Sequence, residues 1–500
     1  MSMAPTATLR LPPRPSMDER LRAEANRLLS FAPVSVEMPA GTGKTHLLAA
    51  AVATASESKR RCLVLTHTNA GVDAIRRRLR EFGVDSSRVR VETLTSWAFA
   101  LVRAYSMLAK LSVHEIPDWS VSSDYIKGAA RVVTATAVQD MLKNSFDYLF
   151  VDEYQDCTRD HHVFIQRTTR AIPQTVLLGD RLQAIFGFAD PLVDWNSDVL
   201  PHFPPLSIDI HPYRWMGHNP KLGQWILAIR NTLMTGGCTF DLGAASVPGL
   251  TLVPNKSPAS LTHEALKYRE KSETTVLLDK WPKDVARHTS RLRGKYTVME
   301  DINGNFMRSW IKGDAPEALR LPDEADFTLA NWFACFAKAC IIGLGGIDKP
   351  LLEKLRKGDP VSHLKRDGME PLLRALDHIR RNPTYDNVCK AARVVESLPS
   401  AHVYRWEAWR DTLAALRMCT DEDTPPLDNL AMLRERLRKQ GRRAHTRIAS
   451  RTLLVKGLEY DHVIIANTQS FRDPKDLYVA LSRARKSVTL CGPSVIRLTR

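Results

Sequence analysis

One stretch decides the fold of this chain: Val34-Ser-Val-Glu-Met-Pro-Ala-Gly-Thr-Gly-Lys-Thr-His-Leu-Leu-Ala-Ala-Ala51. It begins with a short β-branched run, passes through a turn rich in proline and glycine, and continues directly into an alanine-rich helical segment. This order predicts that the amide groups of the turn and the N-terminus of the helix converge on one concave surface. Such a surface binds phosphate, because the N–H groups and the helix dipole both favour negative charge.

The same stretch carries the side chains that a nucleotide site requires. Lys44 can reach the outer phosphates, and the Thr45 hydroxyl can ligate the Mg²⁺ that bridges them. A Gly-Lys-Thr tripeptide alone arises by chance, but its place between a strand and a helix favours a P-loop, although Met38 stands where the full pattern has glycine. We therefore expect ATP and Mg²⁺ as ligands. The expected contacts to the nucleotide are Ala40, Gly41, Thr42, Gly43, Lys44, Thr45 and His46.

The composition indicates a multidomain protein that is attracted to polyanions. A chain of 500 residues is long enough for roughly two to four domains. The net charge of +16 favours nucleic acid as a partner, with a merely basic soluble protein as the alternative. The eight cysteines contain no Cys-x-x-Cys pair, which argues against zinc, iron–sulfur and disulfide frameworks. No run approaches the ~20 apolar residues of a membrane span, and residues 1–17 are expected to be a disordered tail without a signal core. A cytoplasmic protein with no membrane partner follows.

An acidic motif, Asp152-Glu-Tyr-Gln-Asp156, follows an apolar run at residues 146–151 that predicts a strand. Carboxylates at the carboxyl end of a strand lie where an open α/β sheet presents its ligands. We expect Asp152 to hold Mg²⁺ and Glu153 to orient and deprotonate the attacking water. A solvated acidic turn is the alternative.

Loops that follow other predicted strands supply further candidates. The exit of the strand near Leu178 places Gln183 near the nucleotide and aromatic side chains beyond it. Aromatic faces beside a basic groove can stack on unpaired bases, whereas core packing is the competing interpretation for each aromatic residue. The candidate DNA contacts are Thr68, Asn69, Trp97, Phe186 and Phe188.

Ordered motifs extend from residue 38 to residue 485. Besides the P-loop and the acidic motif, they comprise Leu65-Thr-His-Thr-Asn-Ala70, Leu178-Gly-Asp-Arg-Leu-Gln-Ala-Ile-Phe-Gly-Phe188, His211-Pro-Tyr-Arg214, Val455-Lys-Gly-Leu-Glu-Tyr-Asp461 and Leu477-Tyr-Val-Ala-Leu-Ser-Arg-Ala-Arg485. Together they resemble the motif set of UvrD/Rep-type superfamily 1 DNA helicases. The resemblance implies an α/β fold with two RecA-like P-loop NTPase domains on parallel sheets.

The resemblance also implies roles for single residues. Lys44, Thr45, Asp152, Glu153 and Gln183 would contact the nucleotide from the first domain. Tyr213 would stack on adenine, Arg214 and Arg483 would contact the γ-phosphate, and Gly457 and Glu459 would belong to the nucleotide site, with Glu459 on the ribose. The implied activity is that of an ATP-dependent single-stranded DNA translocase and 3′–5′ DNA helicase acting on single-stranded and forked DNA.

Three positions depart from the family pattern. No glutamine precedes Gln139, so the residue that reads adenine in many relatives has no counterpart. His46 stands where arginine is common and would be only weakly charged at neutral pH. Leu453-Leu454 replaces a His-Ser pair, which affects the DNA contacts expected of that loop.

The pattern of strands and helices divides the chain into domains. We predict a first motor domain at 18–205 with a small insertion at about 105–145, and a second at 206–310 and 445–500. Residues 311–444 are mostly helical in pattern and predict an accessory insertion, whose small size suggests limited strand separation without a partner. The basic run at 434–447 either follows a phosphate backbone or forms a solvated helix face.

The biological role has two interpretations. One is a helicase of DNA repair. The other is a DNA-stimulated ATPase subunit that senses DNA and regulates a partner nuclease in anti-phage defence, by resemblance in size and fold to the small UvrD-like subunits of Gabija-type systems. An RNA-directed motor is disfavoured because the motifs resemble those of DNA enzymes.

Overall fold

The computed structural model describes residues 17–115, 117–187, 190–244, 246–254, 258–267, 269–312, 328–422, 424–442 and 445–499. The predicted disordered tail therefore lies, except for its last residue, outside the described residues. The chain divides into two compact units, residues 1–216 and 217–500. Within the described ranges, each helix is either too short or too polar to cross a lipid bilayer.

The first unit is built on a five-stranded parallel sheet. Its strands are β1 (Val34–Glu37), β2 (Cys62–Thr66), β3 (Val89–Thr93), β4 (Tyr148–Val151) and β5 (Gln174–Gly179), in the order β1-β5-β4-β2-β3. Its helices are α1 (Glu19–Ser30), α2 (Lys44–Glu57), α3 (Asn69–Glu81), α4 (Leu94–Ala104), α5 (Ser106–Ala109), α6 (Ser122–Val132), α7 (Thr136–Ser145) and α8 (Arg159–Thr168). Because the strands are parallel, the loops after them meet at one edge of the sheet.

Helix α2 is the central helix of one face of this sheet. Residues 47–55 are all buried, which is possible because most are alanines that let neighbouring backbones approach. They pack with α1, α3 and strand side chains such as Val36 and Phe150 in one core. A second core, on the other face, includes α4, α6 and α8. Burial on both faces positions the P-loop rigidly at the start of α2.

The first unit extends beyond the predicted boundary at residue 205. The Ser35 N–H donates to the Pro204 carbonyl (2.9 Å), and the Leu206 N–H donates to the Ser35 carbonyl (2.9 Å). Ile208 then packs against the core that contains α2. These contacts hold the start of segment 206–216 on the edge of the first sheet, next to β1.

The second unit contains a six-stranded parallel sheet in the order β7-β14-β13-β8-β12-β9 and two short antiparallel pairs, β10-β11 and β15-β6. The strands are β6 (Thr239–Asp241), β7 (Leu250–Val253), β8 (Thr275–Asp279), β9 (Thr297–Val298), β10 (Ile341–Ile342), β11 (His402–Val403), β12 (Arg447–Arg451), β13 (Tyr460–Ile465), β14 (Ala484–Cys491) and β15 (Val495–Arg497). Helices α9 (Pro220–Ala228), α10 (Arg230–Thr235), α11 (Pro258–Leu266) and α12 (Pro282–Ser290) belong to this unit, as does α20 (Pro474–Ser482). The predicted α/β fold with two parallel sheets is confirmed.

The apolar side chains of residues 452–455 predict a strand of the second sheet from the sequence alone, and this prediction is wrong. The apolar run at Thr452–Val455 forms a 3₁₀ helix, and the strand is β12, immediately before it. The sequence of β12 does not predict a strand, because it has an arginine at each end. Its three central residues are nevertheless buried between β8 and β9. Burial by neighbouring strands, rather than local hydrophobicity, therefore selects the strand.

A helical block lies between β9 and β12 in the sequence. Its helices are α13 (Asn305–Lys312), α14 (Thr328–Cys340), α15 (Lys349–Lys357), α16 (Glu370–Arg381), α17 (Tyr385–Ser397), α18 (Trp406–Glu422) and α19 (Pro426–Gln440). Part of the predicted insertion, residues 313–327, lies outside the described residues. The block has its own core, in which Phe336 stacks on Trp332 (5.2 Å between ring centroids) and on Trp409 (5.6 Å).

Two arginines of the basic run at 434–447 stabilise the fold. Arg434 is 4% exposed, and its guanidinium pairs with Asp411 (2.8 Å) and donates to the Ile302 carbonyl (3.1 Å). Arg442 donates to both carboxylate oxygens of Glu407 (2.6 and 2.7 Å). The sequence allowed two interpretations of this run: contact with a phosphate backbone, or a solvated helix face. Neither interpretation describes these two side chains.

A buried ion pair joins the helical block to the sheet. Arg405 Nη1 lies 2.6 Å from Glu300 Oε1, with the two residues 8% and 4% exposed. The guanidinium also lies 3.8 Å from the centre of the Phe306 ring. Burial raises the pKa of Glu300, and the charge of Arg405 opposes that rise. The carboxylate therefore depends on this arginine to remain charged.

Replacing Arg405 with methionine should lower the free energy of unfolding by about 3–5 kcal/mol, because Glu300 would stay buried without its partner. Urea denaturation followed by tryptophan fluorescence measures the change. The double variant Glu300→Gln, Arg405→Met should recover most of the loss. Lys390→Met, which removes an exposed ion pair with Asp386, is the control and should have no measurable effect. Equal stability of Arg405→Met and the parent chain would contradict the prediction.

Candidate functional site

The turn between β1 and α2 has the geometry of a phosphate-binding loop. Gly41 and Gly43 adopt φ values of 74° and 88°, and Gly43 is the N-cap residue of α2. Only glycine adopts this left-handed backbone at low cost. Lys44 and Thr45 begin the helix, where unsatisfied N–H groups and the helix dipole attract anions. The structure thus places the predicted nucleotide residues at the helix N-terminus.

Neighbouring contacts hold this turn in place. The Met38 N–H donates to the Gly179 carbonyl (2.9 Å), and its side chain is buried in the core that contains α2. Thr42 Oγ1 donates to the Pro39 carbonyl (2.7 Å) within the turn. Methionine at the position where the full pattern has glycine therefore serves as a core residue, and the two glycines that follow supply the sharp backbone bend.

The acidic motif at the end of β4 converges on the start of α2. Lys44 Nζ lies 3.1 Å from Glu153 Oε1 and 3.9 Å from Asp152 Oδ1. Thr45 Oγ1 donates to Asp152 Oδ2 (3.4 Å). Hydroxyl and carboxylate oxygens are the ligands that Mg²⁺ prefers. The donor set of Thr45 and Asp152 therefore fits this ion.

Burial shifts the pKa values of this cluster. Burial alone lowers the pKa of Lys44, but the carboxylates of Glu153 and Asp152 outweigh it and raise that pKa above its ordinary value. Burial raises the pKa of Asp152 to about 6, against the lowering effect of Lys44. Lys44 is thus charged at neutral pH, and a bound cation would favour the charged form of Asp152 further.

Glu153 is held in an unusual backbone conformation. Its φ and ψ are 56° and 39°, in the left-handed region that a residue with a side chain seldom adopts. Its N–H donates to Asp152 Oδ1 (2.9 Å), and the Gln155 side-chain amide donates to its Oε2. Strain of this kind is typical of functional sites, where surrounding contacts maintain it. Here those contacts orient the carboxylate that sequence analysis assigned to water activation.

Asp180 connects three parts of the site. This carboxylate is fully buried, and its Oδ2 accepts from the Ala40 N–H (3.1 Å) and from Gln183 Nε2 (3.0 Å). Its own N–H donates to Gln155 Oε1 (3.0 Å). Sequence reasoning missed the roles of Asp180 and Gln155. The signal for Asp180 was a carboxylate directly after the buried strand β5, as in the acidic motif after β4.

The His211-Pro-Tyr-Arg214 motif approaches the same turn. The Arg214 N–H donates to the Gly41 carbonyl (3.0 Å). A Cβ atom on Gly43 would lie 2.8 Å from Tyr213 Cδ2, so this ring rests against the turn, and it is 45% exposed. His46 instead packs against Phe82 (5.2 Å between ring centroids), and burial lowers its pKa. Tyr213 therefore offers an accessible aromatic face beside the turn.

Comparison with known proteins finds a family model that is similar to part of this chain. Residues 23–189 match the protein family described as an AAA domain. Together with the ordered motifs, the match supports the resemblance to superfamily 1 helicases.

One solved structure is similar to most of this chain. A crystal structure of Pif1 helicase from Candida albicans is similar over 95% of this chain and 94% of that chain, with 12% sequence identity and a TM-score of 0.42. The comparison with curated proteins finds no match.

Two sequence motifs of the second unit, at residues 455–461 and 477–485, contact each other. The Arg483 side chain is 1% exposed and donates to the carbonyls of Val479 (2.9 Å) and Leu458 (3.3 Å). Gly457, with φ 81°, and the exposed Glu459 flank Leu458. The Arg483 carbonyl in turn accepts from the backbone N–H that follows Glu459 (2.9 Å). The structure brings these predicted site residues together within the second unit.

The predicted DNA contacts differ in accessibility. In the first unit, Thr68 is exposed and caps α3 by accepting from the Gly71 N–H (3.0 Å), and Asn69 is the half-buried first residue of that helix. Phe186 is half-buried after the 3₁₀ helix Arg181–Gln183, and Phe188 lies outside the described residues.

Trp97 lies in a core of the first unit. It is 2% exposed and packs against Phe164, with 5.1 Å between ring centroids. The apolar face of α4 carries it toward α8. The structure therefore favours core packing over the predicted DNA contact for this residue.

Sequence reasoning did not select Trp281, which is an exposed aromatic residue of the second unit. It is 58% exposed and lies just after β8, as the N-cap residue of α12. Lys280 Nζ lies 5.9 Å from the ring centroid. A Lys-Trp-Pro sequence directly after a predicted strand was the available signal. The position is the edge at which a parallel sheet presents ligands.

Gly43→Ala should weaken ATP binding by at least about tenfold, because the new methyl group would strain the backbone and collide with Tyr213. Titration with a fluorescent ATP analogue measures the affinity. The matched control is Gly368→Ala in the helical block, where φ is 74° and a Cβ atom would meet nothing within 4 Å. The control should bind ATP like the parent chain. Unchanged affinity in Gly43→Ala would refute the assigned loop geometry.

Proposed function

We propose that this protein is an ATP-dependent motor of the UvrD type, which moves along single-stranded DNA and unwinds duplexes in the 3′–5′ direction. The observation that supports it most strongly is the convergence of Lys44, Thr45, Asp152 and Glu153 at the start of α2. This set combines a phosphate-binding cation, oxygen ligands for a metal and a carboxylate for water activation. The motif resemblance connects ATP hydrolysis to DNA.

The chain's own residues account for each requirement of ATP hydrolysis. Lys44 and the N–H groups of the turn bind the phosphates, and Tyr213 offers its ring to the base. Mg²⁺, held by Thr45 and Asp152, would offset the negative charge of the phosphate oxygens. Glu153 orients the water and accepts its proton, while Gln155 holds the Glu153 carboxylate.

Substrate phosphates would change the pairing of Lys44. In the structure this ammonium is paired most closely with Glu153 (3.1 Å). Phosphate oxygens compete for the same cation, and that competition releases the Glu153 carboxylate for hydrogen bonding to water. The general base thus becomes available only when the substrate is bound.

Arg214 is the proposed γ-phosphate contact nearest the turn, because its peptide N–H already bonds to Gly41. Arg483 is held by Leu458 within the second unit. Its contact with the γ-phosphate stays a prediction from the motif, as does the ribose contact of Glu459. A partner nuclease stays a prediction from the resemblance in size and fold to the small UvrD-like subunits of Gabija-type systems. Base selectivity is expected to be low, because no glutamine precedes Gln139.

Charge and exposed aromatic residues support a nucleic acid strand as the second substrate. The net charge of +16 attracts a polyanion. Thr68 and Asn69 follow β2 at the carboxyl edge of the first sheet, and Trp281 occupies the corresponding edge of the second. An exposed indole suits stacking on an unpaired base. The ammonium of the adjacent Lys280 is paired with Asp476 (3.2 Å).

The proposed function predicts that single-stranded DNA stimulates ATP hydrolysis more than duplex DNA or RNA does. Steady-state ATPase assays with each nucleic acid measure the stimulation, and forked substrates with a 3′ or a 5′ tail report polarity.

Glu153→Gln should lower kcat by about a hundred- to ten-thousandfold with ATP binding retained, because the general base is lost. Substantial turnover by this variant, or no response to single-stranded DNA, would refute the proposal.

Trp281→Ala should weaken single-stranded DNA binding by about 1–3 kcal/mol, the usual contribution of one stacked base. Fluorescence anisotropy with a labelled oligonucleotide at fixed salt gives the affinity. Trp406→Ala is the control, because Trp406 is 42% exposed but begins α18 in the helical block. If both variants bind DNA equally well, Trp281 is not a stacking platform.

A further inference from the structure

His67 and Cys157 connect two loops of the first unit that have different proposed tasks. His67 immediately precedes Thr68 and Asn69, at the end of β2 where a DNA strand is expected. Cys157 follows the 3₁₀ helix Tyr154–Asp156, which begins directly after Glu153. His67 Nε2 lies 3.3 Å from Cys157 Sγ, within hydrogen-bonding distance for sulfur.

Cys157 is anchored on both sides by its backbone. Its N–H donates to the Tyr154 carbonyl (3.0 Å), which closes the short helix after Glu153. Its carbonyl accepts from the Val193 N–H (2.8 Å), in the segment that follows the aromatic residues near Phe186. The side chain is fully buried. A displacement of Cys157 would therefore be transmitted to the helix that carries the Glu153 backbone.

The histidine is positioned from its other side by His161. The two imidazole rings meet edge to face, with 5.3 Å between centroids. His161 Nδ1 accepts from the Thr158 N–H (3.2 Å) as part of the capping box that begins α8. Burial lowers the pKa of His161 to about 4, so the ring is neutral and remains a hydrogen-bond acceptor at neutral pH. His67 thus lies between the fixed start of α8 and Cys157.

The backbone of Glu153 is restrained by the same turn that contains Cys157. The Glu153 carbonyl accepts from the Asp156 N–H (3.0 Å), one residue before Cys157. Its backbone is in the left-handed region, which surrounding contacts must maintain. A small shift at the end of this turn can therefore alter the direction of the carboxylate. Packed side chains with discrete positions are a physical route for coupling two sites.

We propose that the His67–Cys157 contact couples strand binding at the loop after β2 to the orientation of Glu153, so that both are positioning residues for DNA-stimulated ATP hydrolysis. This inference rests on the proposed function. It assigns neither residue a contact with ATP, and it separates basal hydrolysis from its stimulation. Thr68 and Asn69 contact the DNA strand, whereas His67 couples its binding to Cys157.

The test compares His67→Phe and Cys157→Ala with the parent chain in ATPase assays with and without saturating single-stranded DNA. The phenylalanine keeps an aromatic ring against His161 but lacks the ring nitrogen, and alanine removes the thiol. Each variant should keep basal kcat and ATP affinity, while the stimulation at saturating DNA falls at least about fivefold, the lower end of usual coupling effects. The double variant should be no worse than either single variant, because both remove one contact.

Two further variants separate coupling from general damage. Cys157→Ser keeps a hydrogen-bonding group next to His67 and should retain stimulation. Cys62→Ala removes another fully buried cysteine, from β2, and should also retain it. Full stimulation in His67→Phe and Cys157→Ala would overturn the inference, as would effects of the two changes that multiply in the double variant. Lack of stimulation in the parent chain would instead overturn the proposed function.

Discussion

The pairing of one buried ammonium group with two carboxylates is the interaction on which the candidate site depends. Lys44 lies between Glu153 and Asp152 at the first turn of α2, and all three come from segments that end or begin at the same edge of the first sheet. Removing one partner of such a buried pair leaves an uncompensated charge, which is far more costly than losing an exposed pair. The site is therefore held together by charges that phosphate and a metal ion would later share.

Hydrogen bonds within the first unit extend this constraint to neighbouring loops. Asp180 ties the turn at Ala40 to Gln183 and, through its own N–H, to Gln155, which in turn holds Glu153. The loops after β1, β4 and β5 are thus connected to the carboxylate proposed to activate water. The proposed link through Cys157 adds the loop after β2 to this network.

Buried ion pairs are also important in the second unit, where they join the helical block to the sheet. Its helical block has a separate apolar core, yet it is joined to the sheet by buried ion pairs such as that of Arg405 with Glu300. Arg434 serves the same purpose between α19 and the start of the block. Arginine suits these junctions because its planar donors can satisfy several oxygen atoms at once. Part of the chain's positive charge is consequently structural and cannot be counted as DNA-binding surface.

The sequence by itself determined the fold class, the P-loop and the acidic motif, because hydrophobic periodicity and turn residues are local properties. It did not determine which aromatic residues are accessible. Trp97 and Trp281 both follow strands within a few residues, yet one is buried against Phe164 and the other is exposed. Nor could it show that the strand at β12 precedes the apolar run at Thr452–Val455. Burial, the partner of each buried charge and the contact between His67 and Cys157 depend on residues far apart in the sequence, and only the tertiary structure brings them together.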